Sequence, residues 1–275
     1  MSDAPILRLD GATRRFAGLV AVDEVSFGVA PGTIHAVIGP NGAGKTTLFN
    51  LITGLIPMSA GALFFQGADI SALPVHRRAA LGIGRTFQNI RIFGSMSVLE
   101  NVLTGMHHRM SAGLLPIIFR LGRSRAEERD AVACARSALD LVGLADLAES
   151  SAAALAYGDQ RRLEIARAMV SAPQLILLDE PAAGMNPAET ESLATLVQRI
   201  RALGTTVLLV EHDMHFVMGI SDRITVLNFG KRIFEGGPDQ VRSEPAVVEA
   251  YLGQKVAARL AEKRAQELSA KEAQA

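Results

Sequence analysis

Gly39-Pro40-Asn41-Gly42-Ala43-Gly44-Lys45-Thr46 is the stretch of this chain with the plainest chemistry. Three glycines let backbone N–H groups close around an anion. Lys45 adds a mobile positive charge and Thr46 a hydroxyl able to ligate a cation. The spacing is that of a phosphate-binding loop. It implies a nucleotide, with Lys45 on the β- and γ-phosphates and Thr46 on Mg²⁺. Thr47 follows directly and belongs to the same cradle. The apolar run Ile34–Ile38 precedes the loop, and a helical stretch runs from Gly44 to about Gly54. The positive end of that helix would then face the phosphates.

A second group of residues suits hydrolysis. Leu175-Ile176-Leu177-Leu178-Asp179-Glu180 reads as a buried strand ending in two acids. It is expected to run parallel beside the loop's strand, with its end at the phosphates. Asp179 would hold Mg²⁺ through water, and Glu180 would polarise an attacking water. Two solvated acids at a strand end are the simpler alternative. The run Thr206–Val210 ends in Glu211-His212-Asp213. His212 could touch the γ-phosphate and order the water, or lie on the surface as a plain histidine. Gln88, in Arg85-Thr86-Phe87-Gln88-Asn89, is a neutral side chain able to touch Mg²⁺ or water.

Short apolar runs alternating with helical stretches must position these groups, which indicates an α/β fold. Residues 6–9, 24–29 and 63–66 read as further strands, and residues 89–154 as largely helical with breaks at Pro116 and several glycines. Residues 224–227 and 232–234 read as strands joined by a turn over 228–231. Beyond Gly253 the chain turns to Ala, Glu, Lys and Arg, an extra helix or a frayed end by propensity.

Composition narrows the function classes. The 275 residues suffice for one large domain or two small ones, and are 49% hydrophobic and 20% charged. Twenty-eight basic residues balance 28 acidic ones, which argues against a basic nucleic-acid binder. No Trp and 5% aromatic residues argue against a stacking platform for single strands. Cys134 is the single cysteine, so no disulfide scaffold forms. The longest apolar runs, 114–119 and Thr206–Val210, fall far short of the roughly 20 residues that span a membrane. Residues 1–10 lack the pattern of a signal peptide, so the chain is expected to stay in the cytoplasm. A mean hydropathy of +0.23 suggests much buried or partner-covered surface.

The order of these pieces resembles the ATP-binding cassette (ABC) family of transporter ATPases. Leu155-Ala156-Tyr157-Gly158-Asp159-Gln160-Arg161-Arg162 is similar to the family signature, usually Leu-Ser-Gly-Gly-Gln, and departs from it at Ala156, Tyr157 and Asp159. The resemblance implies a RecA-like parallel core, an N-terminal antiparallel β subdomain and a helical signature subdomain inserted at about 89–165. The cassette would span 1–254, with 255–275 a tail. It also implies that Tyr157, Gly158 and Asp159 approach the nucleotide held by a second ATPase subunit. Ala156 has no hydroxyl for that contact, so backbone N–H groups around Gly158 would carry it. Asp159 would need Mg²⁺ or Arg161 to offset its charge. Phe16, 29 residues before Lys45, matches the aromatic that stacks on adenine, with packing in the N-terminal sheet as the alternative. Gln88 matches the Q-loop, Ala183-Gly184-Met185-Asn186 the D-loop and His212 the switch histidine.

A narrower resemblance is to the larger ATPase subunit of branched-chain (hydrophobic) amino acid importers. Phe16-Ala17-Gly18-Leu19-Val20-Ala21-Val22, Arg161-Arg162-Leu163-Glu164-Ile165-Ala166-Arg167, Val210-Glu211-His212-Asp213-Met214 and Glu249-Ala250-Tyr251-Leu252-Gly253 are among the stretches that carry it. It implies ATP hydrolysis driving import from the cytoplasmic face of the membrane. The implied partners are two transmembrane permeases, a second ATPase subunit, identical or different, and indirectly a periplasmic or extracellular binding protein. Ile90-Arg91-Ile92-Phe93-Gly94 would dock a permease helix, unless Ile92 and Phe93 are core residues. A urea or amide importer, a lipopolysaccharide exporter, a soluble ATPase of iron–sulfur assembly and an ATP-holding regulatory module are the alternatives.

Overall fold

A computed structural model of the chain describes residues 4–88, 90–106 and 125–252. Asn89, the run 114–119 and the tail 255–275 lie outside the described residues.

Two sheets organise the chain. The first is antiparallel, in the order β2-β1-β4-β5, from β1 (Leu7–Phe16), β2 (Leu19–Val29), β4 (Ala60–Phe65) and β5 (Ala68–Asp69). The second contains β3 (Ile34–Ile38), β6 (Ile83–Arg85), β7 (Leu175–Asp179), β8 (Thr206–Val210), β9 (Arg223–Asn228) and β10 (Lys231–Gly236). Its order is β10-β9-β3-β8-β7-β6, parallel throughout except for the β9–β10 hairpin.

The central strands are apolar because both of their faces are covered. Ile34, Ala36 and Ile38 of β3 enter one core, while Val37 enters the other. The core around Val37 joins β3 to the first sheet and to α1 (Lys45–Thr53) through Leu48, Phe49 and Ile52. The other core includes residues of α3 (Val98–Thr104), α4 (Arg125–Val142) and α5 (Tyr157–Met169). Helices α6 (Pro187–Ala202) and α7 (Met214–Ile220) contribute to it as well. Ala131, Ala135, Ala138, Leu139 and Val142 form the buried stripe of α4 at helical spacing. Ser97 caps α3 in a reciprocal capping box with Glu100. The remaining helices are α2 (Val75–Ala80), α8 (Pro238–Ser243) and α9 (Pro245–Leu252). No helix among the described residues is long and apolar enough to cross a membrane.

One expectation is overturned. β7 does not lie beside β3, because β8 separates them and pairs with both. Both runs are five residues long and buried throughout, so either would fit against β3. All three strands still run parallel, which brings their ends to one edge of the sheet. The N-terminal strands are also longer than their apolar runs. β1 continues through Arg14 and Arg15 to a turn in which Ala17 has φ 47°, and then pairs back onto β2. One side of this sheet is open, so its strands alternate and a search for apolar runs shortens them.

Candidate active site

The phosphate loop leaves β3 through two glycines that no other residue could replace without a shift. Gly39 has φ 155°, and a Cβ there would lie 2.2 Å from the Leu227 carbonyl oxygen. Gly44 has φ 99°, and a Cβ there would lie 2.4 Å from the Ala21 carbonyl oxygen. The loop is thus wedged between β2 and the β9–β10 turn. It is tied to that turn by Gly230 N–H, which donates to Ala43 O at 3.1 Å. Gly44 precedes α1 without a side-chain cap, which leaves the first N–H groups of that helix for an anion.

Lys45 folds back over the loop. Its Nζ donates to Gly39 O at 2.7 Å and to Pro40 O at 3.0 Å. Burial pushes its pKa below the usual lysine value, while the Glu180 and Asp179 carboxylates oppose that shift. Thr46 is exposed and Thr47 half-buried. A cavity of about 580 Å³ opens here, lined by Asn41, Gly42, Ala43, Gly44, Lys45, Thr46 and Thr47 together with Leu19, Val20, Ala21, Gln88, Glu180, Phe229 and Gly230.

Asp179 ends β7 and is buried. Arg85 Nη2 donates to its Oδ2 at 2.9 Å, and Arg85 Nη1 reaches Asn50 Oδ1 and Thr53 Oγ1 at 2.9 and 2.8 Å. Burial raises the Asp179 pKa, against the pull of Arg85. Its Oδ1 is buried with no hydrogen-bond partner. Glu180 follows in the left-handed region at φ 47°, where its N–H donates to Val210 O at 2.9 Å. Such a conformation in a glutamate stores strain of about 1–3 kcal/mol and is concentrated at functional sites. Gln88 Nε2 donates to Glu180 Oε2 at 2.8 Å.

His212 sits at the end of β8, the strand next to β7, and is largely exposed. Its Nδ1 lies 3.6 Å from Oε2 of the buried Glu211. Glu211 accepts from Ala182 N–H at 2.7 Å and from His212 N–H at 2.9 Å, bracing the β8 end against the turn after β7. Burial raises the Glu211 pKa, and these N–H groups hold it back.

Phe16 is 39% exposed with the Arg14 guanidinium 4.5 Å from its ring centroid, so it is not a core residue of the N-terminal sheet. It does not line the cavity, whereas Leu19, Val20 and Phe229 do. Phe229 is 85% exposed at φ 48°. The reading from sequence passed over these three. The available signal was a bulky aromatic inside the Asn228-to-Lys231 turn, where turn chemistry favours small residues.

Ala156 precedes α5 without a side-chain cap, and Tyr157, Gly158 and Asp159 form its first turn. Arg162, not Arg161, faces Asp159, at 3.7 Å. Residues three apart share a helix face and residues two apart do not. Arg161 turns inward instead, onto the carbonyls of Phe87 and Gln88. Asn186 caps α6 in a capping box with Glu189, so its side chain is committed to that helix. From the far end of the chain, Tyr251 on α9 shares a hydrogen bond with the Gly39 backbone, and burial holds its pKa up at about 12.

The residues fit a nucleoside triphosphate and its magnesium ion. The loop is a cradle that side chains would fill, Lys45 spends its donors on the loop's own carbonyls, and Asp179 keeps a buried lone oxygen. Among the described residues no group of three or more His, Cys, Asp or Glu could hold a metal by itself.

Known proteins match in the same sense. The family described as ABC transporter matches residues 22–183, and that described as branched-chain amino acid ATP-binding cassette transporter matches residues 231–257. The high-affinity branched-chain amino acid transport ATP-binding protein BraF of Pseudomonas aeruginosa is 46% identical over 91% of this chain and 98% of its own. The corresponding protein LivG of Escherichia coli K12 is 45% identical over the same shares. A nucleotide-free ATP-binding cassette from an ABC transporter superposes with a TM-score of 0.79 at 32% identity, over 90% of this chain and 99% of that one. With fold, motif order and all three comparisons in agreement, the chain belongs to the ABC transporter family, as an ATP-binding subunit of the kind that couples ATP hydrolysis to transport.

Proposed function

We propose that this chain hydrolyses ATP to power import of branched-chain amino acids. The carrying observation is the double likeness. Nearly the whole chain aligns with relatives named for that transport, and residues 231–257 match a family named for the same cargo.

In this reading Lys45 leaves the Gly39 and Pro40 oxygens and moves onto the β- and γ-phosphates, beside the N–H groups of the loop. Thr46, Asp179 and Gln88 would hold Mg²⁺, which when bound neutralises phosphate charge. Glu180 takes the proton of the attacking water, Gln88 holds that carboxylate in place, and His212 reaches the γ-phosphate. Phe16 stacks on the adenine. The first turn of α5 in a second ATPase subunit completes the phosphate shell with its N–H groups.

The partners in this reading are two permeases, a second ATPase and, through the permeases, a binding protein outside the membrane. The chain would act peripherally, on the cytoplasmic face. A groove of about 500 Å³ supports permease docking, with Phe87, Arg91, Phe93 and Arg167 among its lining residues. Phe93 is 49% exposed there, while Ile92 packs against the core.

The test is copurification from detergent-solubilised membranes, using Glu180→Gln with Mg-ATP. Two multi-spanning permeases and a second ATPase, followed by leucine uptake that depends on this chain, are expected. Recovery of soluble partners alone would remove the transport reading.

A further inference from the structure

Arg161 is 4% exposed, and its two shortest hydrogen bonds go to backbone oxygens. Nη1 donates to Phe87 O at 3.0 Å and Nη2 to Gln88 O at 2.6 Å. Nη2 also reaches the Tyr157 hydroxyl at 3.1 Å, and the guanidinium carbon lies 5.5 Å from the Tyr157 ring centroid. The Tyr157 hydroxyl donates in turn to Ala183 O at 3.1 Å. One helical turn further, Glu164 Oε1 accepts from Arg91 N–H at 2.8 Å. Tyr157, Arg161 and Glu164 follow the spacing of one helix face. That face of α5 grips residues 87, 88 and 91 on one side and the turn after β7 on the other.

Among the described residues, the one carboxylate that Arg161 pairs with is Glu164, at a long 3.4 Å. A surface pair would spend the charge on an acid. Here a buried cation donates to two successive carbonyls from two different nitrogens of one rigid planar fork, a geometry a single ammonium nitrogen does not reproduce. The segment it holds ends in the side chain that donates to Glu180 at 2.8 Å. The chain of contacts therefore runs without a gap from the first turn of α5 to the carboxylate beside the phosphate loop.

We propose that Arg161 is a positioning residue for hydrolysis. It ties the first turn of α5 to the backbone of Gln88, so that engagement of that turn by a second subunit's nucleotide sets the position of Gln88 against Glu180. One ATP site would thereby govern the chemistry of the other. The inference rests on the roles proposed above for Glu180, Gln88 and the first turn of α5. It does not rest on the cargo.

A double-mutant cycle on the full chain tests it, read as steady-state ATP hydrolysis with nucleotide affinity measured separately. Arg161→Gln should lower kcat about tenfold while nucleotide Kd stays within about twofold, since allosteric coupling is typically worth 5–150-fold. Arg161→Lys should recover little. In a Gln88→Ala background the same Arg161→Gln change should cost less than about twofold, because the path is already broken. Equal losses in both backgrounds would overturn the proposal, as would a wild-type kcat in Arg161→Gln. Should Arg161→Gln fail to fold, Tyr157→Phe removes one hydroxyl, and its loss of about threefold should vanish in the same background. Additivity there overturns the proposal equally. A wild-type rate in Gln88→Ala alone would sink the Gln88 assignment and this inference with it. Failure to recover permeases would remove the transport reading and leave this one standing.

Discussion

The Gln88 side-chain amide donates to the Glu180 carboxylate at 2.8 Å, across the gap between the segment after β6 and the end of β7. One oxygen of Glu180 is thereby fixed, and the carboxylate faces the cavity that Lys45 and Thr46 also line.

Glu180→Gln keeps the shape and loses the base. Hydrolysis should fall about 10²–10⁴-fold while ATP binding, followed by calorimetric titration, stays near that of the unaltered chain. Trapped ATP should also hold two cassettes together, visible as a larger species on size exclusion. An unchanged turnover would remove Glu180 from the chemistry.

Arg85 reaches Asp179, Asn50 and Thr53 from one guanidinium, in a pair buried on both sides. Arg85→Ala would strand the Asp179 carboxylate in the interior. Urea unfolding should show a loss of about 3 kcal/mol, the usual effect of breaking a buried pair from one side. A midpoint within experimental error of the unaltered chain would mean that water replaces Arg85 without cost.

His35 is the buried histidine of β3, with its ring against Phe27 and Nε2 2.8 Å from Thr225 Oγ1. Burial pushes its pKa from 6.5 to about 4, Glu235 opposing and Arg223 assisting. The unfolded chain therefore takes up a proton near pH 6.5 that the folded chain refuses until about pH 4. Stability from this group is complete above pH 6.5 and is lost as pH falls toward 4, by about 3 kcal/mol in all. Urea midpoints across that window should fall for the native chain. His35→Gln should flatten this component of the slope while lowering stability at every pH.

Phe93→Ser alters the exposed ring in the groove of about 500 Å³ and leaves the phosphate loop untouched. Basal ATP hydrolysis should persist, and permease copurification and leucine uptake should drop severalfold, as for loss of an aromatic anchor. Full uptake would move the docking surface elsewhere.

What was legible in the sequence was what neighbouring residues accomplish together. The phosphate loop reads directly because its glycines, Lys45 and Thr46 are contiguous. Ile34–Ile38 and Thr206–Val210 read as strands end to end because both of their faces are buried. The same uniformity hid the strand order, since β7 and β8 are interchangeable by composition. Mg²⁺ or Arg161 is the counterion the sequence suggests for Asp159, whereas helix periodicity puts Arg162 beside it. The carbonyl partners of Arg161 lie more than seventy residues away, and no local pattern announces a bond to backbone oxygens. Leu19 and Val20 escaped for a like reason, and Phe229 although its place in a turn was a signal. Their role comes from a cavity wall assembled from two hairpin turns.

The wedging of the phosphate loop has a consequence for how the chain is made. Residues 39–46 leave the ribosome early, yet Gly39 packs against Leu227, Ala43 is bonded by Gly230, and Tyr251 reaches back to Gly39. Contacts of such sequence separation form late in synthesis and late in folding. A nascent chain that has emerged only through β8 holds the whole motif and its β2 wall but lacks the wall from the β9–β10 turn. The loop's final shape is thus expected only once residues 227–251 have joined the fold.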